Sequence, residues 1–372
     1  MRITAAVLEQ IDTQTVPHRI TLEQIELDDP RDDEVLVRVI SCGVCGTDRG
    51  CLHGVEPYPT PGVLGHEAAG VVEAVGRNVT RVHNGDRVMI GFPFCGRCYR
   101  CLRGEQRYCE KNRDLTFSGY RLDGSGGMRR RNGEELAGRF FQQSSWATHT
   151  VALEQQLARV PDSIELEMAG PYGCSISTGA GTVLNELRPE PGTSLAVFGA
   201  GNVGLAAVMA ARLTSVEHII VIDKVPERLA LARELGATHT FHASSDTVEE
   251  IKELTRHRLD YAIEATNGAN LVADAVAALG MRGTCAVVGG SSPSAKVTLK
   301  HADLLGHGKR LIGVMGGGGQ TPAFLESLMA LQGQGRFPLE KLVRFYDFAD
   351  VNRAIDDSDA GITIKPILRM PA

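Results

Sequence analysis

Two hydrophobic rhythms divide the chain. Over roughly its first 110 residues, apolar positions come in short runs: Glu34-Val35-Leu36-Val37-Arg38-Val39-Ile40, Ala69-Gly70-Val71-Val72-Glu73-Ala74-Val75-Gly76 and Arg87-Val88-Met89-Ile90. Runs of this length, rich in β-branched residues, predict strands. Asn84-Gly85-Asp86 predicts a turn leading into the third. Short strands broken by glycine-bearing turns predict a compact, barrel-like β domain. From Leu115 to Gln143 the chain turns polar and glycine-rich, and its basic run Arg129-Arg130-Arg131 reads as a solvated loop tip before it reads as a phosphate site.

The second rhythm begins after Cys174. Leu195–Phe198, His218–Ile222, Asp260–Glu264, Thr284–Val288 and Lys309–Gly313 are apolar runs of strand length. Between them lie helical stretches such as Leu205–Leu213, Pro226–Leu235 and Ala269–Leu279. This alternation predicts an α/β domain built on a doubly wound parallel sheet. No short-period repeat interrupts it.

Length and charge narrow the partners. A chain of 372 residues exceeds what one core organises, so two domains are expected. The net charge of -6 offers no attraction to nucleic acid or an anionic membrane. No run approaches the roughly 20 apolar residues of a membrane helix. The opening residues turn polar at Glu9 without a signal-like apolar core, so the cytoplasm is the expected location. Nine cysteines, an odd number, argue for thiolate chemistry over a disulfide framework.

Gly199-Ala200-Gly201-Asn202-Val203-Gly204 follows a predicted strand and opens a predicted helix. In that setting Gly199 allows a tight turn, Gly201 lets the backbone approach a pyrophosphate and Gly204 lets helix and strand pack closely. Asp223 closes the next strand, where a carboxylate would accept hydrogen bonds from ribose hydroxyls and repel a 2′-phosphate. NAD is therefore expected over NADP, although the cations Lys224 and Arg228 could accommodate a phosphate.

Cys95, Cys98, Cys101 and Cys109 form a C-x₂-C-x₂-C-x₇-C pattern that can close a Cys₄ shell around a structural zinc. An iron–sulfur cluster competes for the spacing, but the long last gap and the charged filler Arg97, Arg100, Arg103 and Glu105 favour zinc. A nucleic-acid zinc ribbon fares worse, because no basic aromatic face accompanies the cysteines. Gly65-His66-Glu67, with Cys45 and Cys174, supplies an imidazole and two thiols from three distant segments. Each residue alone is ordinary.

Taken in order, Gly43-Val44-Cys45-Gly46-Thr47-Asp48, Gly65-His66-Glu67-Ala68-Ala69-Gly70, Gly85-Asp86-Arg87-Val88, the cysteine lobe, Gly173-Cys174 and Gly199–Gly204 with Asp223 resemble the zinc-dependent medium-chain alcohol dehydrogenases over essentially the whole chain. Two further stretches, 140–149 and 361–366, resemble the bacterial aryl-alcohol (benzyl alcohol) and geraniol dehydrogenase branch. The resemblance implies a GroES-like catalytic domain from residues 1–174 and 314–372, carrying the structural zinc lobe at about 92–112, and a Rossmann domain over 175–313. It implies two zinc ions per chain and a homodimer or homotetramer, for which Lys309–Gly313 offers a sheet edge.

Site roles follow from the same resemblance. Cys45, His66 and Cys174 would hold a catalytic zinc with one position open. Asp48 would orient His66, and Glu67 would stand behind the ligands or approach the metal. Thr47 would hydrogen-bond the alcohol oxygen and relay its proton, while zinc, as a Lewis acid, brings the alcohol pKa towards neutrality. Thr178 and Val203 would line the nicotinamide pocket, Lys365 would lie near the pyrophosphate, and Phe92 would form a substrate wall. Two positions depart from the family pattern. Gly46 replaces a common Arg or His at the pyrophosphate, with Lys365 or Arg49 as the available compensation. Gly50 stands where a relay histidine is expected, with His53 three residues on.

The implied reaction is reversible oxidation of an aromatic or allylic primary alcohol by NAD. A formaldehyde–thiol adduct, then a secondary alcohol or polyol, are the alternative substrates; no cationic cluster in the sequence marks a carboxylate-bearing adduct. Cys42 and Cys285 read as packed residues. Cys51, close to the expected site, is a candidate oxidation-sensitive thiol.

Overall fold

The computed structural model describes residues 1–9, 20–266, 268–290, 294–319 and 322–371. They fall into two compact units. One holds Met1–Cys174, Gln320–Gly335 and Leu339–Ala372; the other holds Ser175–Gly319 and Arg336–Pro338. The chain leaves the first unit directly after Cys174 and returns to it after Gly319, later than the expected Gly313.

The first unit is built from two sheets. The strand Glu34–Gly43 organises the larger one: it pairs with Ala68–Val75 and His149–Leu153, and its last residues pair with Lys365–Arg369. Irregular register at Leu36/Val37 and Val39/Ser41 bends the strand, as bulges do, and lets one strand serve three partners. Val35, Val37 and Val39 are buried, which is the burial their alternation predicts. The smaller sheet runs Gly62–Val63, Arg2–Leu8, Ile20–Leu27, Met128–Arg129, Glu135–Leu136. Pattern reading passed over Arg2–Leu8, because Ala5 and Ala6 are weak strand formers. Its place in the sheet comes from burial: Ala5, Ala6, Val7 and Leu8 are all in the core. Val7 pairs with Val63 and so sets the chain just before Gly65.

The polar stretch 115–143 is more tightly tied than its composition suggests. Arg129 meets Glu26 and Asp28, and Arg130 meets Glu9, Glu23 and Glu134. The expected solvated tip is therefore mostly a cross-strand ion network. Deeper in, buried Glu34 receives a bidentate pair from Arg121 (2.7 and 2.9 Å) and a third bond from Arg139 at 2.6 Å. Burial pushes the Glu34 carboxyl up, but the Arg121 bonds and the Arg139 charge outweigh it and leave it below its ordinary 4.5.

Glu34→Gln leaves two buried guanidiniums short of a counter-charge and should cost about 3 kcal/mol in denaturant unfolding. The sign of the pH dependence follows from the lowered value. This stabilisation is full above pH 4.5 and is lost as pH falls through the depressed folded value. Wild type should therefore lose more stability than Glu34→Gln on acidification, and parallel acid titrations would refute this assignment.

The second unit is a six-stranded sheet with every neighbouring pair parallel, in the order His239–His242, His218–Asp223, Ser194–Phe198, Tyr261–Glu264, Thr284–Val287, Arg310–Gly313. Ser194–Phe198 is buried throughout, as a strand covered on both faces must be. The chain winds outward from it in one direction, then returns to its other side at Tyr261–Glu264. That reversal opens a crevice beyond the strand ends, where open α/β sheets take ligands. Among the described residues no helix is long and apolar enough to cross a membrane.

Candidate active site

Cys45 precedes the short helix Gly46–Leu52 in an extended conformation and acts as its N-cap. Asp48, in the first turn, accepts the Cys45 N–H at 2.9 Å, the helix-end position that suits an acid. Its other oxygen accepts the Gly65 N–H at 3.1 Å and meets His66 Nδ1 at 3.0 Å. One carboxylate thus ties the cysteine turn, the glycine turn and the imidazole together. Gly65 has φ +90, and a Cβ there would run into the Trp146 backbone nitrogen and ring, so only glycine delivers His66 in this pose.

The other face of the imidazole is covered by Phe141, stacked at 4.3 Å and 19°. Phe141, Gln142 and Ser144 all have positive φ. Local anchors hold this strained run: Gln142 bonds Leu115 O and Tyr120 O, Gln143 bonds His66 O, and Ser144 bonds Val63 O.

Donor atoms of Cys45, His66, Glu67 and Cys174 lie within 4.8 Å of one another, all buried, with the two sulfurs 3.7 Å apart. His66 Nε2 is buried without a hydrogen-bond partner. A sealed, orphaned imidazole nitrogen beside two thiols fits a metal ligand set better than a packed core. Burial pushes the His66 imidazole down, yet the Asp48 charge and hydrogen bond, with Cys45, lift it to about 10. The Cys174 hydrogen bond pulls Cys45 well down and correspondingly holds Cys174 well up.

Thr47 is half-buried on the same turn, and among the described residues its hydroxyl makes no hydrogen bond. Within this cluster Glu67 Oε2 meets Lys365 Nζ at 2.6 Å, and Lys365 also donates to Val44 O. Neither side chain of this pair has exposed surface. Lys365, expected beside a pyrophosphate, is buried here with its ammonium paired to Glu67. Arg49, the other proposed compensation for Gly46, is engaged by Asp359 and Ser358 O. His53 also turns to Asp359, at 3.0 Å. Cys51 is fully buried and burial pushes its thiol up, which is the opposite of a reactive cysteine. Cys42 and Cys285 are buried.

In the lobe, Cys95 faces Cys101 at 4.0 Å and Cys98 faces Cys109 at 3.9 Å. The four sulfurs form a second candidate metal cluster. Backbone N–H groups of Cys95, Glu110 and Lys111 point at sulfurs, as they do around thiolates. Among the described residues the lobe's buried cluster is Cys101, Cys109 and Leu115, with Phe94, Cys95 and Cys98 partly buried against it.

In the second unit, Gly201 is the extended N-cap of Asn202–Ala211, so the helix starts on the glycine motif itself and not at Leu205. A Cβ at Gly204 would collide with the Gly199 carbonyl, and one at Gly199 would meet Thr266 beyond the neighbouring strand. The turn therefore lies at the sheet's reversal point. Asp223 accepts the Ala200 N–H at 2.7 Å and the Val225 N–H at 2.9 Å, pinning that turn. Lys224 is exposed and Arg228 half-buried beside it. Thr178 lies on Ser175–Gly181, whose Gly179 abuts the Val203 carbonyl.

Comparison with known proteins decides the family. Residues 31–162 match the alcohol dehydrogenase GroES-like domain and residues 202–331 the zinc-binding dehydrogenase domain. The chain is 38% identical to a geraniol dehydrogenase of Castellaniella defragrans, over 98% of this chain and 96% of that protein. The chain belongs to the zinc-binding medium-chain alcohol dehydrogenases. Two solved members cover it completely and are themselves completely covered. An alcohol dehydrogenase zinc-binding domain protein from Burkholderia ambifaria has TM-score 0.96 at 43% identity, and the benzyl alcohol dehydrogenase of Acinetobacter calcoaceticus has 0.94 at 38%.

Within this alcohol dehydrogenase fold, the structure adds Phe141 and Arg107 beside the expected Phe92. Phe92, half-buried, lies 5.3 Å from Phe141, and the Arg107 guanidinium sits 3.3 Å over the Phe92 ring. Arg107 was indistinguishable in sequence from the other charged residues of the lobe. The glycine-free run 140–144 gave no sign that it bends back over His66.

Proposed function

We propose that the chain reversibly oxidises a primary alcohol of aromatic or allylic type to its aldehyde, with NAD as hydride acceptor and two zinc ions per chain. The observation that carries this reading is the buried Cys45–His66–Cys174 cluster, with an orphaned imidazole nitrogen, backed by the aromatic wall of Phe141 and Phe92. A zinc ion held by Cys45, His66 and Cys174 would supply the Lewis acidity that makes an alcohol acidic near neutral pH. The chain's own residues do the rest. Asp48 fixes the tautomer and aim of His66. Thr47 offers an uncommitted hydroxyl to hold the alcohol proton. Phe141 and Phe92 favour a flat, apolar group, by burial and stacking worth a few kcal/mol. The similarity to enzymes named for geraniol and benzyl alcohol supports the same substrate class.

NAD is preferred on the strength of Asp223. Its carboxylate is buried and held by two backbone donors, so it cannot swing away from a 2′-phosphate. Gly199, Gly201 and Gly204 would take the pyrophosphate, with Thr178 and Val203 towards the nicotinamide and Lys224 and Arg228 flanking the ribose. A cytoplasmic dimer or tetramer completes the reading, since the strand Arg310–Gly313 stands at one end of the six-stranded order.

An initial-rate panel with NAD and NADP against benzyl alcohol, geraniol, cyclohexanol and sorbitol tests these choices. Benzyl alcohol or geraniol with NAD should lead. Dominant activity on sorbitol or cyclohexanol would overturn the substrate class. In Asp223→Ala, the ratio of kcat/KM for NAD over NADP should fall at least about tenfold, the equivalent of roughly 1.4 kcal/mol. An unchanged ratio would remove Asp223 as its cause.

A further inference from the structure

Arg107 is the residue the reaction above leaves unused. It lies in the lobe between Cys101 and Cys109 and is 3% exposed. No hydrogen bond or ion pair joins it to any described residue. Its Nε is sealed without a partner, while the two terminal nitrogens are not sealed in the same way. Its guanidinium lies over Phe92, 3.3 Å from the ring centre, and the ionisable groups around it are Cys174, Tyr108 and Cys109, none of them a carboxylate. Every other strongly buried arginine among the described residues of the first unit is matched. Arg121 and Arg139 share Glu34.

A buried cation without a carboxylate is costly, and cation–π attraction of a few kcal/mol returns only part of that cost. Such a group is retained where a ligand completes it. The position names the ligand. From His66 the wall runs through Phe141 to Phe92, ring against ring, and Arg107 caps its far end. A flat alcohol lying along this wall with its hydroxyl at the metal ligands would direct its distal substituent at the guanidinium. A planar guanidinium with free N–H groups matches a carboxylate, which it takes in bidentate fashion.

We infer that Arg107 forms a carboxylate subsite, so that the chain's substrates include aromatic or allylic primary alcohols bearing a carboxylate at the end remote from the hydroxyl. The inference rests on the alcohol dehydrogenase reading above and narrows its substrate class. It also supplies the cation that sequence reading did not find.

The test compares 4-(hydroxymethyl)benzoate with its neutral isostere, 4-(hydroxymethyl)benzamide, using the zinc-loaded full-length enzyme. Wild type should favour the acid at least about tenfold in kcat/KM, the scale of one charge-assisted hydrogen bond. Arg107→Gln should bring the acid-to-amide ratio to one or below, and Arg107→Lys should restore part of it. A thermal shift gives a readout independent of turnover: the acid should raise the wild-type Tm more than the amide does. Should Arg107→Gln fail to fold, the wild-type ratio, the Tm comparison and Arg107→Lys still decide. A wild-type ratio at or below one overturns the subsite. So does a ratio unchanged in Arg107→Gln with both substrates impaired alike, which would make Arg107 a support for Phe92 alone. Absence of turnover on both of these and on benzyl alcohol and geraniol, with the Tm difference present, would instead sink the broader reading and spare the subsite.

Discussion

Cys45→Ser should lose one zinc per chain, retain the lobe zinc and fall at least about 100-fold in kcat/KM with any alcohol. Serine is not ionised at neutral pH, and outer partners of a metal site alone cost roughly 10–100-fold when removed. Losing a direct ligand costs more. The substitution leaves His66 Nε2 and Cys174 as two donors in a pocket shaped for three, with Glu67 already committed to Lys365. Metal analysis of the purified variant separates this from general unfolding, because the lobe cluster is built from other residues. A variant with full zinc content and activity would show that Cys45 is only packed there.

Lys365→Met should be the most damaging change outside the ligands, costing about 4 kcal/mol of stability as the partner of a broken buried pair. Burial pushes Lys365 down, and the charges of Glu67 and Cys45 more than reverse this, so the ammonium stays charged. Without it, Glu67 stands uncompensated next to Cys45 and Cys174, and burial already pushes its carboxyl up. Glu67 then takes up a proton or repels the thiolates. A coupled change, Lys365→Met with Glu67→Gln, should recover more than half of the lost stability, since it removes the orphaned charge as well. If the double variant is no more stable than the single, the pair is not what holds this corner. If Lys365→Met weakens NAD binding with stability intact, the ammonium reaches the coenzyme after all.

These two residues show how legibility varies along the chain. That Cys45, His66 and Asp48 gather in one cluster could be read in advance because it depends on short-range chemistry. A thiol, an imidazole and an acid are assigned by identity, and a glycine before His66 marks the turn that presents it. Lys365 looked equally readable, yet its buried ion pair with Glu67 was not. Nothing local distinguishes a lysine that reaches solvent from one drawn inward by a carboxylate 298 positions away. The same holds for Glu34, which reads as the polar start of a strand and proves to anchor two arginines from a loop that looked solvated. Strands with β-branched alternation, such as Glu34–Gly43 and Arg87–Ile90, came close to their observed limits. Arg2–Leu8 and His239–His242 did not, since one is alanine-rich and the other polar, and both are strands only because neighbours pair with them.

By itself, then, the sequence determined the two-part plan, the family, both clusters of candidate metal donors and the glycine turn with its acid, because these rest on residue identity at short spacing. Tertiary structure alone decided which charges are spent inside the protein and which stay free. Lys365, Arg121 and Arg139 are neutralised and Arg107 is not, because ion pairing depends on a few ångströms in space between residues that chain order leaves far apart.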